Sequence, residues 1–358
     1  MGHIVYKCLT CGGDLGFNAE TQNWKCKYCE DEFTLEQLDA AGKNDINEEK
    51  VETHEELDGD PAMYTSTDGT VGKDLVQYRC SHCGAEIITD RATAATICVY
   101  CGNPIIMTEQ VIGNFSPQYV IPFKVDKSKV MDAFKTFAKK PLTPKDFNCE
   151  NVVNKMQGVY IPFWMYSAGL SGTMVADGIN KRTYRSGDYR VTESKHHHVY
   201  REGHLEFERI PADASSKTDD AAMDSIEPYD FNELKPFNVG YLAGYLAERY
   251  DADADACRNR ATERIVNTSK SQFISTANYN EVQVQTFEYD LQYGDVEYAL
   301  LPTWLLYTKY KDKDYFFAMN GQTGKFIGNL PISYAKLALY SGVPGIIAFI
   351  LLFLMFMQ

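Results

Sequence analysis

Apolar and polar positions alternate through the middle of the chain, and that alternation predicts strands. Tyr160–Tyr166 (YIPFWMY) and Tyr298–Tyr307 (YALLPTWLLY) read as two versions of one apolar strand. Each carries a proline near its start, where a missing N–H is tolerated. Ile121-Pro-Phe123 is a weaker echo of the same pattern. Tyr189–Tyr200 and Leu205–Ile210 alternate on either side of Glu202-Gly203 and predict a hairpin turning there. Glu281–Tyr289 predicts another strand. Tyr315–Met319 and Lys325–Gly328 predict a final hairpin around Asn320-Gly321-Gln-Thr-Gly324, with both glycines at positive-φ positions. Two stretches change to a helical period. Lys127–Lys139 sets Val130, Phe134 and Phe137 on one stripe. Asp251–Ser271 begins acidic and turns basic, as a helix dipole favours. Its DADAD run therefore reads as a helix start; a calcium loop would need Gly at its sixth position and Glu at its twelfth. At the C-terminal end Leu337–Met357 runs 21 positions without a charge. A helix of that length covers roughly 30 Å, which predicts a transmembrane helix over 334–357 and membrane contact through 337–357.

Charge adds an orientation and a linker. Lys309, Lys311, Lys313, Lys325 and Lys336 precede the apolar run, so the positive-inside rule places the body in the cytosol, with a single-pass C-terminal anchor in the cell membrane. Residues 36–74 hold twelve acids against three lysines and few large apolar side chains, which predicts an acidic linker, flexible or weakly helical. The whole chain has 358 residues and a formal net charge of −14. Nucleic-acid affinity rests on phosphate neutralisation by Lys and Arg. Residues 1–34 carry three lysines against five acids, and 78–110 two arginines against three, so neither offers a basic face. Trp24 and Tyr28 have the faces for base stacking, yet a lone aromatic in so small a module serves more often as its core.

Eight of the ten cysteines carry the strongest chemistry. Cys8-x2-Cys11 precedes Cys26-x2-Cys29 by fourteen residues, and Cys80-x2-Cys83 precedes Cys98-x2-Cys101 by the same interval. Each cysteine of the second set lies 72 positions after its counterpart. Four thiolates in two close pairs supply a tetrahedral Zn2+, so the spacing predicts two zinc ribbons and two structural zinc ions with closed coordination. Gly12 and Gly84 follow the leading pairs, as a tight knuckle requires. Cys149 and Cys257 read as ordinary semi-buried thiols. His196 and His198 share a strand face that His204 or Glu206 would join from a returning strand; an exposed polar face has the same pattern. No GxxxxGK[ST], GxSxG or HExxH motif occurs, and the reading is of a protein that is not an enzyme.

The chain resembles bacterial zinc-ribbon membrane proteins of the YdjG type, often labelled TFIIB-type or PriA-like for their ribbons. The resemblance rests on the two four-cysteine sets, the 160–164 strand, Ile210-Pro-Ala-Asp213-Ala-Ser, Glu227-Pro-Tyr-Asp230, Tyr241–Asp251, Met319–Gly324 and the apolar tail. It implies an adaptor that recruits an SPFH-domain, virion-core-like protein to the membrane near a PspA-type protein in an envelope-stress response. Carried over position by position, the zinc ligands are Cys8, Cys11, Cys26 and Cys29, then Cys80, Cys83, Cys98 and Cys101. The expected fold class is α+β. Zinc ribbons at 1–35 and 75–110 flank the linker, a β-rich domain with a few helices covers 115–330, and one transmembrane helix closes the chain. A nucleic-acid-associated zinc-ribbon protein of replication or transcription type is the alternative.

Overall fold

The computed structural model describes residues 7–41, 75–79, 86–90, 93–97, 104–106, 116–147, 155–311, 313–342 and 349. The chain divides into two compact units. The first comprises Met1–Ile161, Lys217–Arg249 and Leu300–Gln358; the second comprises Pro162–Ser216 and Tyr250–Ala299.

The first unit begins with a small antiparallel sheet of β1 (Leu15–Asn18), β2 (Asn23–Cys26) and β3 (Glu32–Phe33), in that order. Thr34 then starts a short helix, Leu35–Ala40, through a capping box. The Gln37 N–H donates to Thr34 Oγ1 at 3.3 Å, and the Thr34 N–H donates to Gln37 Oε1 at 2.9 Å. Two more hairpins follow: β4 (Leu75–Arg79) with β5 (Glu86–Asp90), and β6 (Thr93–Ile97) with β7 (Pro104–Ile106). β6 pairs with β12 (Leu246–Glu248), and β12 runs parallel to the start of β9 (Gln157–Ser186). These strands belong to a ten-stranded sheet ordered β11-β8-β13-β9-β12-β6-β7, where β8 is Tyr119–Val120, β11 is Lys235–Pro236 and β13 is Glu281–Tyr310. β14 (Lys313–Asn320) pairs with the end of β13, and β15 (Phe326–Gly328) pairs with β14.

Asp126 caps the helix Lys127–Ala138 by accepting from the Lys129 N–H at 2.9 Å. Of the predicted stripe, Val130 and Phe134 are buried; Phe137 is half-buried against Phe326, and Ala138 completes the buried face. Phe134 meets the edges of Phe317 and Phe326 at ring separations of 5.4 Å. The last hairpin forms at the predicted residues. Gly324 sits at φ +79°, whereas Gly321 is needed for space: a Cβ there would lie 2.6 Å from Phe123 and 2.8 Å from Pro302. Buried Asn320 fixes the turn. Its Oδ1 accepts from the N–H groups of Gln322 and Thr323, and its Nδ2 donates to the carbonyls of Ile226 and Pro228.

The second unit is built on β9 and β10 (Tyr189–Asp213), paired from Tyr189↔Ser186 to Asp213↔Phe163 with one bulge between Phe207 and Ile210. The first part of β13 and the helix Ala254–Ser275 complete it. That helix starts three residues later than predicted, because Asp253 caps it by accepting from the Ala256 N–H at 2.8 Å. Asp251 is occupied elsewhere, by Ser216 N–H and Oγ–H. Ala261, Ile265, Ser269 and Phe273 recur every four residues and form the buried stripe. Ala261 packs with Tyr166 and Ala212, Ile265 with Ala168 and Leu170, and Phe273 with Met174, Ala176 and Val199.

Three expectations are corrected. The α+β class, with two ribbons and a transmembrane helix, gives way to a mostly β fold with a few helices. The reason is continuity: segments read as separate short strands merge into β9 and β13, of 30 residues each. Among the described residues, one four-cysteine cluster occurs, at the N-terminus, and no helix is long and apolar enough to cross a membrane. The anchor expected over 334–357, and the membrane localisation resting on it, are therefore withdrawn. The described part of that segment is helical over 334–342 and at Phe349, and the remainder lies outside the described residues. The helix starts at the body: Ser333 N–H donates to Leu142 O at 2.8 Å, and Lys336 Nζ donates to Thr143 O at 2.6 Å. Finally, no turn forms at Glu202-Gly203. Both residues continue β10, opposite Thr173 and Gly172.

Candidate metal centre

The first cysteine set closes into one site. The Sγ atoms of Cys8, Cys11, Cys26 and Cys29 all lie within 4.8 Å of one another. Cys8 and Cys29 approach to 3.4 Å, and Cys11 and Cys26 to 3.5 Å. Two turns bring the pairs together. In the first, the Gly12 N–H donates to Cys8 O at 2.9 Å and the Cys8 N–H to Gly13 O at 2.6 Å, with Gly12 at φ +72°. No atom approaches within 4 Å of where a Gly12 Cβ would be, so the glycine answers the backbone angle, not crowding. In the second, the Tyr28 N–H points at Cys26 Sγ at 3.4 Å. Glu30, just after Cys29, occupies the left-handed region at φ +63°.

The electrostatics show why the four thiols want a cation. Burial pushes the Cys26 thiol up, but backbone N–H groups of Cys29 and Tyr28 outweigh it and hold Cys26 down to about 7. At Cys29 the Asp31 backbone draws the pKa down, and burial together with the other three thiols drives it far up instead. Cys26 ionises readily, and Cys11 and Cys29 resist ionising beside it. A bound dication removes that resistance. Four sulfur donors on two knuckles fit a metal ion.

The ribbon is seated on the first unit. Trp24, 1% exposed, donates its indole N–H to Gly240 O at 2.9 Å. Phe17 and Tyr241 pack around it at ring separations of 5.2 and 5.3 Å. The Phe17 N–H donates to Ala243 O at 3.0 Å, and Gln22 Nε2 bridges the carbonyls of Ala19 and Phe123. Gly240 is required here, since a Cβ would stand 2.9 Å from Trp24 Nε1. On the outer side, Leu9 and Tyr28, one inside each CxxC pair, are 47% and 60% exposed.

Cys80, Cys83, Cys98 and Cys101 lie outside the described residues, as does Cys149. The strands around the second set are described, and they repeat the first set's register. Lys7 bridges Asp14 in the first, and Arg79 pairs with Glu86 in the second, 72 positions on. Lys25↔Glu32 recurs as Ile97↔Pro104 at the same offset. Tyr28 likewise has Tyr100 as its counterpart.

The histidines do not converge. His196, His197 and His198 pair with Ile179, Gly178 and Asp177, and His197 stacks on Tyr279 at 5.2 Å. His204 lies eight residues along the same strand. It joins a chain that the sequence did not reveal: Ser171 Oγ to His204 Nδ1 at 3.0 Å, and His204 Nε2 to Glu206 Oε1 at 2.6 Å. Cross-strand pairing of His204 with Ser171 and the missing side chain of Gly169 make it possible. Cys257 is half-buried, with Sγ directed at Asp213 O.

Fold and site together define a β-rich protein carrying a four-thiol ribbon able to hold a metal ion. The chain is 35% identical over 345 residues to the uncharacterized protein YdjG of Bacillus subtilis (strain 168), a match covering 96% of this chain and 94% of that relative. The chain belongs to the YdjG family. No family model matches it, and no solved structure does.

Proposed function

We propose that this protein is a non-catalytic adaptor whose zinc-stapled ribbons present a protein-binding surface. The observation carrying this reading is the closed four-thiol cluster with exposed Leu9 and Tyr28 beside its ligands and Trp24 fastening its opposite side. Closed thiolate coordination leaves no position for a substrate, so the metal's part is to hold the knuckles. Four sulfur ligands suit Zn2+, and a ribbon with so small a core depends on it for folding. A second Zn2+ is held by Cys80, Cys83, Cys98 and Cys101. The repeated register of the flanking strands supports that assignment, because the pairs Arg79↔Glu86 and Ile97↔Pro104 border the second set as Lys7↔Asp14 and Lys25↔Glu32 border the first. Exposed apolar groups on a rigid tip are what a protein partner can use as anchors. The partner class suggested by the resemblance to bacterial zinc-ribbon proteins is an SPFH-domain or PspA-type protein.

The test is affinity capture of a purified SPFH-domain protein by wild-type chain and by Leu9→Asp/Tyr28→Asp. Expected is capture by wild type and loss in the variant, with metal content unchanged. Equal capture by both would remove the ribbon tip as the interface.

A further inference from the structure

The β9–β10 ribbon carries two oppositely charged features on one face. Near its base lies an open groove of about 640 Å³, lined by Glu206, Glu208, Asp290, Asp295, Glu297 and Tyr293, among others. Within it, Arg209 donates to Glu297 at 2.9 Å and His204 bonds to Glu206, while Glu208 and Asp295, both exposed, have no cation partner among the described residues. At the other end the ribbon runs out past its core as a two-stranded arm. Every residue from 180 to 198 is exposed apart from half-buried Val191. The arm holds Lys181, Arg182, Arg185, Arg190 and Lys195 against Asp188 and Glu193, in a chain whose overall charge is strongly negative. Arg185 and Arg190 stand directly opposite each other across the strands, and neither has an acidic partner among the described residues. Like charges so placed destabilise a strand pair. Tyr184 and Tyr189 at the tip are 45% and 78% exposed.

We infer that the arm of one chain docks in the acidic groove of a second copy, so that the protein assembles head to tail. Charge complementarity names the occupant: an unpaired arginine pair on the arm, and unpaired carboxylates with Tyr293 in a groove large enough for a ribbon tip's side chains. Intramolecular docking is excluded by length. β9 is continuous and pairs without a register shift from Ala168 to Ser186. At roughly 3.3 Å per residue, Arg185 stands about 45 Å along the ribbon from Ser171 at the groove. A straight ribbon cannot reach back over that distance within its own unit, but it can reach another copy. Because the two surfaces differ, the contact is heterologous, and each added chain leaves a free arm and a free groove.

Sedimentation velocity of the full chain, at low and high salt, tests this with two variants. Arg185→Glu/Arg190→Glu reverses the arm, and Glu208→Lys/Asp295→Lys reverses the groove. All four positions are exposed or at the rim, so circular dichroism and metal content serve as folding controls. Wild type is expected to form species beyond the dimer at low salt that dissociate at high salt. Each variant alone is expected to stay monomeric. Mixed in equal amounts, the two variants are expected to form a heterodimer, because each retains one working surface. Three results would overturn the proposal: monomeric wild type at low salt, a dimer in both variants, or an equimolar mixture without heterodimer. Capture of a labelled 20-nucleotide oligothymidylate or of anionic vesicles by the arm of a monomeric wild type would overturn it in favour of another occupant.

Discussion

Single residues at the ribbon are set by backbone angle more than by contacts. Glycine follows three of the four CxxC pairs, at Gly12, Gly84 and Gly102, but Glu30 follows the fourth in the left-handed region. That conformation costs a side-chain-bearing residue about 1 kcal/mol. Glu30→Gly is therefore expected to strengthen the ribbon by that amount, read as a higher chelator concentration for half-loss of metal. The exposed Lys25–Glu30 pair at 3.8 Å offers little to offset the gain. A second residue-scale prediction concerns pH. The Lys124 ammonium beside Glu233, and Gln322 after it, hold the Glu233 carboxyl below its ordinary range against the push of burial. A depressed folded value stabilises at neutral pH, and that contribution is lost as pH falls through it. Lys124→Met should lower the unfolding free energy from urea titration at neutral pH by about 0.5 kcal/mol, the pair being partly exposed, with the gap closing on acidification. The clustering of Cys8, Cys11, Cys26 and Cys29 was legible because their spacing is chemistry written locally. The different needs of Gly321 and Gly324 were not, since Phe123 and Pro302 come from distant parts of the chain.

Among elements, two attachments matter most. The ribbon's hold on the first unit passes through Trp24 and Gly240, 216 positions apart, which no local pattern connects. Gly240→Ala would drive a methyl into the indole and is expected to raise proteolysis within 7–41 and shift tryptophan emission to the red, while the second unit stays resistant. Trp24→Ala should cost about 3–5 kcal/mol in the ribbon. In the second unit, Arg260 meets the fully buried carboxylate of Asp213, and Arg264 donates to Pro211 O at 2.6 Å. Asp213→Ala takes from half-buried Arg260 the carboxylate it meets and is expected to destabilise that unit by about 1.5–3 kcal/mol, measured by denaturant unfolding. The helix Lys127–Ala138 was legible from its stripe, and Ala254–Ser275 from the order of its charges. Strand lengths were not: Gly169, Gly172 and Gly178 look like breaks, yet they admit His204, Phe287 and Tyr279 against a continuous β9.

For the molecule as a whole, the cysteine repeat was the clearest guide, and its 72-residue offset reappears in strand register at both hairpins of the second set. The apolar C-terminal run was a poor guide, because a hydropathy count ignores that the first turn of its described helix, from 334, is bonded to the body through Lys336. The two-unit division was equally hidden, since β9 and β13 each run through both units and no linker composition marks the border. Native mass spectrometry of the full chain tests the central claim most directly. The account predicts two zinc ions per chain, falling to one in Cys8→Ser/Cys11→Ser and to one in Cys80→Ser/Cys83→Ser. A wild-type chain that carries iron, or that binds no zinc when refolded with it, would contradict the account.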